Sequence, residues 1–262
     1  MYLTAVNTVT IKADWYWGIN KMKILAIDTS TLVAAVSVME DERLLGEYIV
    51  NHKKTHSQRL MPMVKKLLEE LELKPSDIDV FAVSTGPGSF TGLRIGVTTI
   101  KAMAYATSKP VVGVPTLDAL AYNILIEDFI ICPIMDARNN QVYTALYERK
   151  DGKLNRISDY LALPVDELAD IIEEKNKKVI FLGDGVENHR DFFKNRLKDS
   201  CEFAPGSMRL QRASSIAQIA YMKAKEGKTE SSIELVPFYL RKSQAERMYE
   251  KKLLANNNSK KV

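Results

Sequence analysis

The chain has 262 residues, 46% hydrophobic and 27% charged, a globular balance with apolar material enough for one compact domain or two lobes. Its formal net charge of +4 is unevenly spread, since residues 241–262 carry +5 and the preceding 240 about −1, so the basic tail is only weak evidence for an RNA-binding surface. Two distant cysteines, Cys132 and Cys201, suggest neither a disulfide framework nor a zinc site and point to a reducing cytoplasm.

No apolar run approaches the roughly 20 residues that cross a bilayer. Residues 1–21 lack the basic start and continuous apolar centre of a secretory signal. They read as an extension ahead of a natural start at Met22, although they hold both tryptophans, Trp15 and Trp17. From Lys23, KILAID is a short apolar run of the kind a buried strand gives, and LVAAVSVME and RLLGEYIV follow as two more strands about the turn at Glu40–Glu42. Leu60, Val64, Leu67, Leu68 and Leu71 then repeat at helical spacing, with Thr55 and Gln58 placed for a capping box and Pro62 inside the first two turns. DVFAVS predicts a strand, Thr91–Thr107 a second helix with Leu93, Val97, Ile100 and Ala104 on one face, and PVVGV a further strand.

The second half replays this order with FIICPIMDA, a turn at Arg138–Asn140, QVYTALYER, an extended stretch near Ile157–Leu163, a helix over Pro164–Glu174 and the strand KVIFLG. Asp28 in LAIDTST and Asp136 in PIMDARN occupy matching places in the two copies. A duplicated β-β-β-α-β unit is the plan of the actin, sugar-kinase and Hsp70 (ASKHA) superfamily, an α/β fold of two lobes built from βββαβα units. The expected division is an extension over 1–21, a first lobe over 22–127, a second over 128–240 and a basic tail over 241–262.

Between the strand ending at Ser84 and the second helix lies TGPGSFTGLRIG. Gly86, Pro87 and Gly88 suit a constrained structural loop, and Ser89 or Thr91 suits the helix cap. Gly92 and Gly96 lie four apart on one helical face, where they cost about 1 kcal/mol each relative to alanine; close approach of another helix is the expected compensation. A phosphate loop of the Walker type lacks its lysine, and a dinucleotide fingerprint lacks its third glycine and the acidic residue after the next strand.

MKILAIDTST at 22–31, HSQRLMPMV at 56–64, GPGSFTGLRIG at 86–96 and PFYLRKSQAE at 237–246 together resemble the bacterial TsaB (YeaZ) family of tRNA threonylcarbamoyladenosine biosynthesis proteins. The resemblance runs from Met22 to about Glu246. It implies a cytoplasmic, non-catalytic scaffold for modification of adenosine 37, with catalysis by the paralogue TsaD, the ATPase TsaE joining through the complex, and tRNA contacted indirectly. It also implies that the two first-lobe helices pair with those of TsaD, or of a second copy when alone, through Ser57, Leu60, Met61, Met63, Val64, Gly92, Arg94, Ile95, Gly96 and Thr99.

TsaD carries an Asn-His-x-x-x-His metal motif, whereas here Thr116 and Leu120 stand in place of its histidines, so no metal is expected. His52 and His56 are spaced i, i+4 but lack the glutamate base of a metalloprotease, and the chain has no nucleophile elbow. Asp28, Thr29 and Ser30 are the candidate phosphate-binding residues. Asp136-Ala137-Arg138 has no glycine turn, and Asp184 splits the two glycines of FLGDGVENH, so the nucleotide site is expected to be vestigial, weak at most, with no cofactor required. The alternative reading is an autonomous ATP-dependent phosphotransferase or ATPase of the same fold.

Overall fold

The computed structural model describes residues 21–52 and 55–241; Trp15, Trp17 and the tail beyond Arg241 lie outside them. The elements run β1 (Lys23–Asp28), β2 (Val33–Glu40), β3 (Arg43–Asn51), α1 (His56–Glu70), β4 (Val80–Gly86), α2 (Phe90–Thr107), β5 (Val111–Pro115) and α3 (Thr116–Ala121). They continue with β6 (Ile130–Asp136), β7 (Gln141–Thr144), β8 (Tyr147–Lys150), β9 (Lys153–Arg156), β10 (Leu161–Pro164), α4 (Val165–Glu174), β11 (Val179–Leu182), α5 (Gly185–Leu197), β12 (Cys201–Phe203) and α6 (Ala213–Lys225).

The first sheet is ordered β3-β2-β1-β4-β5, antiparallel through its first three strands and parallel from β1 to β5. The order β10-β7-β6-β11-β12 in the second repeats that pattern strand for strand. Asp28 and Asp136, the last residues of β1 and β6, are therefore topological equivalents. The β8–β9 hairpin is an insertion in the second copy. Read from sequence, QVYTALYER is one strand; it divides because β8 leaves β7 and pairs with the start of β6 at Ile130 and Ile131. Val142 and Thr144–Tyr147 are all buried, so the periodicity carries no mark of the break.

Strand alternation explains the layers. Leu25, Ile27, Phe81 and Val83 face α1 and α2, while Ile24, Ala26, Val80 and Ala82 face α6. The α6 side is lined by small residues on both partners, Ala26, Ala35 and Ala82 against Ala213, Ala217 and Ala220, which lets the helix lie close to the sheet. In the second lobe Ile130, Cys132 and Ile134 pack with α4 and α5, and Ile131 and Met135 with Leu117, Leu120 and Ala121 of α3. Each lobe thus receives a helix from the other half of the chain.

That exchange corrects the expected division at 127/128 on both sides: α3, expected in the first lobe over 22–127, packs in the second, while α6 and Leu235, expected in the second over 128–240, are buried in the first lobe's core. Glu47 of β3 fixes the return. It accepts from Arg212 Nη2 at 2.8 Å and from Ser214 N at 2.9 Å and Oγ at 2.8 Å, placing a carboxylate at the start of α6. The capping box expected at α1 is absent, because Thr55 makes no side-chain cap bond. At α2 it is Ser89, not Thr91, that caps, accepting from Gly92 N at 3.3 Å.

Candidate functional site: a closed phosphate corner and an apolar helix face

The turn after β1 carries the three candidate phosphate ligands, and all are buried. Asp28 Oδ1 accepts from Ser30 N at 2.8 Å and Ser30 Oγ at 2.6 Å, and Thr29 Oγ1 donates to Gly92 O at 2.7 Å. Burial pushes the Asp28 carboxyl above its ordinary value, against the lowering effect of the Ser30 bonds. The glycine loop closes over this turn, with Ser89 N donating to Ser30 O at 2.6 Å. A Cβ on Gly88 would stand 2.5 Å from Ser30 O, and one on Gly92 2.0 Å from Thr29 O. Both the Thr29 and Ser30 hydroxyls donate within the protein, and the glycine loop and start of α2 pack directly on the turn.

The same distances revise the role expected for two glycines. Gly96 as well as Gly92 faces inward, its Cβ position 2.5 Å from Thr29 Oγ1, so the close approach they permit is that of α2 to its own sheet. Neither is available to a partner. Leu60, Met63 and Val64 also lie in the first-lobe core. Of the ten expected interface residues, Ser57, Met61 and Arg94 remain exposed, and Ile95 and Thr99 are half-buried.

The corresponding corner of the second lobe is open. Asp136 is exposed and accepts from Arg138 N at 2.8 Å and Asn188 Nδ2 at 3.3 Å. Arg138, Asn139 and Asn140 are all left-handed, at φ of 62°, 54° and 56°, so no regular phosphate loop forms there. Asp184 is half-buried with Oδ1 fully enclosed. Burial raises its carboxyl to about 6, the Asp136 charge adding to the rise while backbone N–H groups oppose it. Nearby His189 is buried and held below its ordinary value by that burial.

Thr116 and Leu120 are buried, Leu120 in an apolar cluster with Ile131 and Leu182. His52 is exposed, whereas His56 Nε2 lies 2.6 Å from Thr31 O at the β1 turn, so the two histidines do not form a pair. Among the described residues no group of three His, Cys, Asp or Glu side chains is arranged to hold a metal. Sequence reasoning missed Asp118, midway between Thr116 and Leu120: it accepts from Tyr147 Oη at 2.6 Å and Tyr160 Oη at 2.8 Å. Its partners come from β8 and the loop before β10, so no local pattern signals them.

The outer side of α2 has a different character. Among its 18 residues the only charges are Arg94 and Lys101, and both are engaged, Arg94 with Tyr239 Oη and Lys101 with the carbonyls of Ile233 and Leu235. The rest of its exposed or half-exposed surface is uncharged, including Thr91, Ile95, Thr98, Thr99, Ala102 and Tyr105, the last 74% exposed. Met61 of α1 adds an exposed thioether at 48%. By contrast, the charges of α1 pair along their own helix, Lys65 with Glu69 and Lys66 with Glu70.

Two topologically matched lobes and aspartates ending the equivalent first strands define an ASKHA-type protein, here with the glycine loop packed directly on the turn after its first strand. The family model for TsaD, tRNA N6-adenosine threonylcarbamoyltransferase, matches residues 43–249. The TsaB protein of Bacillus subtilis is 36% identical over 225 residues, covering 86% of this chain and 96% of that one. That of Escherichia coli is 29% identical over 227 residues, again 86% and 96%. The solved structure of YeaZ from Pseudomonas aeruginosa superposes with a TM-score of 0.69 at 25% identity, covering 84% of this chain and all of that one. The chain belongs to the TsaB (YeaZ) family.

Proposed function

We propose that this chain is a non-catalytic subunit in the biosynthesis of threonylcarbamoyladenosine in tRNA, acting in the cytoplasm as a scaffold for a TsaD-type catalytic paralogue. The relatives named as TsaB biosynthesis proteins support the pathway. The observation that carries the scaffold role is the outer face of α2, which carries only the two charges Arg94 and Lys101, together with the exposed Met61 of α1, since a large exposed face so poor in charge marks an interaction surface. That face docks the paralogue, and a second copy takes its place when the chain is alone. The adaptable Met61 thioether suits a surface with two partners. A TsaE-type ATPase joins through the complex, and tRNA is contacted indirectly.

The internal bonds of the Thr29 and Ser30 hydroxyls disfavour the alternative of an autonomous phosphotransferase, which needs free donors for a nucleotide phosphate at that turn. No cofactor is required by this reading, and nucleotide binding is weak at most. The test is reconstitution of tRNA modification from purified TsaD, TsaE and this chain with a threonylcarbamoyl donor. Modification should need this chain, while the chain alone with ATP should turn nothing over. Robust ATP hydrolysis by the isolated chain would overturn the proposal.

A further inference from the structure

The segment Leu235–Arg241 touches both lobes. On the first-lobe side Phe238 N donates to Thr85 O at 2.7 Å, and Gly86 comes so close to the Phe238 carbonyl that a Cβ there would stand 2.1 Å from it. Tyr239 stacks on Phe90 with ring centroids 4.0 Å apart, and its hydroxyl accepts from Arg94 Nε at 3.2 Å. On the second-lobe side Phe238 packs against Tyr160 at 5.5 Å, and Arg241 donates to Ala137 O at 3.3 Å and to Gln141 Oε1 while lying over the Tyr143 ring. Tyr160 is in turn bonded to Asp118 on α3, the helix that joins the lobes.

Thr85 and Gly86 end β4, and Ala137 follows the end of β6. The segment therefore crosses the carboxyl ends of a central strand of each sheet, which is where open α/β sheets take their ligands. We propose that Leu235–Arg241 is a built-in strap that stands in for a bridging ligand and holds the two lobes at one fixed angle. The Tyr239–Phe90 stack and the Phe238 carbonyl anchor it to the first lobe; Phe238 against Tyr160 and the Arg241 guanidinium anchor it to the second. In ligand-binding proteins of this plan the ligand closes the lobes, whereas here a covalently attached peptide does so at high effective concentration and without a ligand. The strap shares Arg94 and Lys101 with the α2 face, and Arg241→Ala separates the two readings because it leaves both of those contacts in place.

The test uses the full-length chain carrying Phe238→Ala with Tyr239→Ala, and separately Arg241→Ala. Spin labels at Ser76→Cys and Glu174→Cys, in a Cys201→Ser background, report the distance between lobes, and amide hydrogen exchange reports local opening. The strap predicts a broader or longer distance distribution in both variants. It also predicts about tenfold faster exchange in residues 137–143, with β1, β2 and α6 unchanged. Should the double variant not fold, Arg241→Ala alone decides, because it leaves the first-lobe anchor in place. An unaltered distance distribution, with faster exchange confined to 235–241, would overturn the proposal.

Discussion

Gly92→Ala adds one methyl group whose carbon would stand 2.0 Å from the Thr29 carbonyl oxygen. Real Cβ contacts essentially never fall below 3.0 Å, so α2 must retreat from the β1 turn by about 1 Å, and both atoms in conflict are fixed by backbone. Overpacking of this kind costs about 1–3 kcal/mol. The retreat also stretches the Thr29 Oγ1–Gly92 O bond of 2.7 Å, a loss of about 1 kcal/mol, while the better helix preference of alanine returns about 1 kcal/mol. The net is a destabilisation of about 2 kcal/mol, equal to a melting-temperature drop of about 4–8 °C for a protein of this size. Circular dichroism thermal melts check it, with Gly206→Ala as control because nothing lies within 4 Å of a Cβ there. A Gly92→Ala protein as stable as the parent, or more so, would refute the inward-facing assignment, since alanine in an exposed helix position would stabilise.

Glu47→Ala removes the carboxylate that holds Arg212 and the start of α6, and urea titration should show a loss of about 2 kcal/mol or more because the partner charge is left half-buried and unpaired. Asp118→Ala leaves the Tyr147 and Tyr160 hydroxyls without their acceptor, and the same titration should show a loss of about 2 kcal/mol. For Asp184 the folded-state carboxyl is raised from 3.8 to about 6, so its protonated form favours the fold and that stability is lost as pH rises from about 4 through 6. Asp184→Asn should therefore match the parent near pH 4 and exceed it by about 1–2 kcal/mol at pH 7, less than the full shift would give because the residue is partly open to solvent. Melts across that pH range with no change in the gap would contradict the assignment.

Much of the fold was legible because buried strands write apolar runs: KILAID, LVAAVSVME and DVFAVS predict β1, β2 and β4 to within a residue or two, and the repeat of strand-ending aspartates exposes the duplication. Where it failed, the missing information was three-dimensional. The alanine stripe of α6 reads as an ordinary helix face, and nothing in it says that it packs on a sheet nearly 200 residues earlier. The spacing of Gly92 and Gly96 predicts close packing but not on which side, and the answer depends on Thr29, 63 residues away from Gly92. The PFYLR segment stood out by its resemblance alone. Its physical role came from Thr85, Phe90, Tyr160 and Ala137, which only the folded chain brings together.

The central claim is that the charge-poor α2 face binds a TsaD-type paralogue without this chain doing chemistry. Isothermal titration of the paralogue from the same cell into the chain tests it most directly, comparing the parent with Thr98→Glu combined with Met61→Glu. Both substitutions lie on exposed positions of the helix pair and should leave the melting temperature unchanged. The account predicts a complex with the parent and an affinity weakened at least about 100-fold by the two buried charges, since unpaired charges at an interface core cost several kcal/mol. Full affinity in the charged variant, at an unchanged melting temperature, would contradict it.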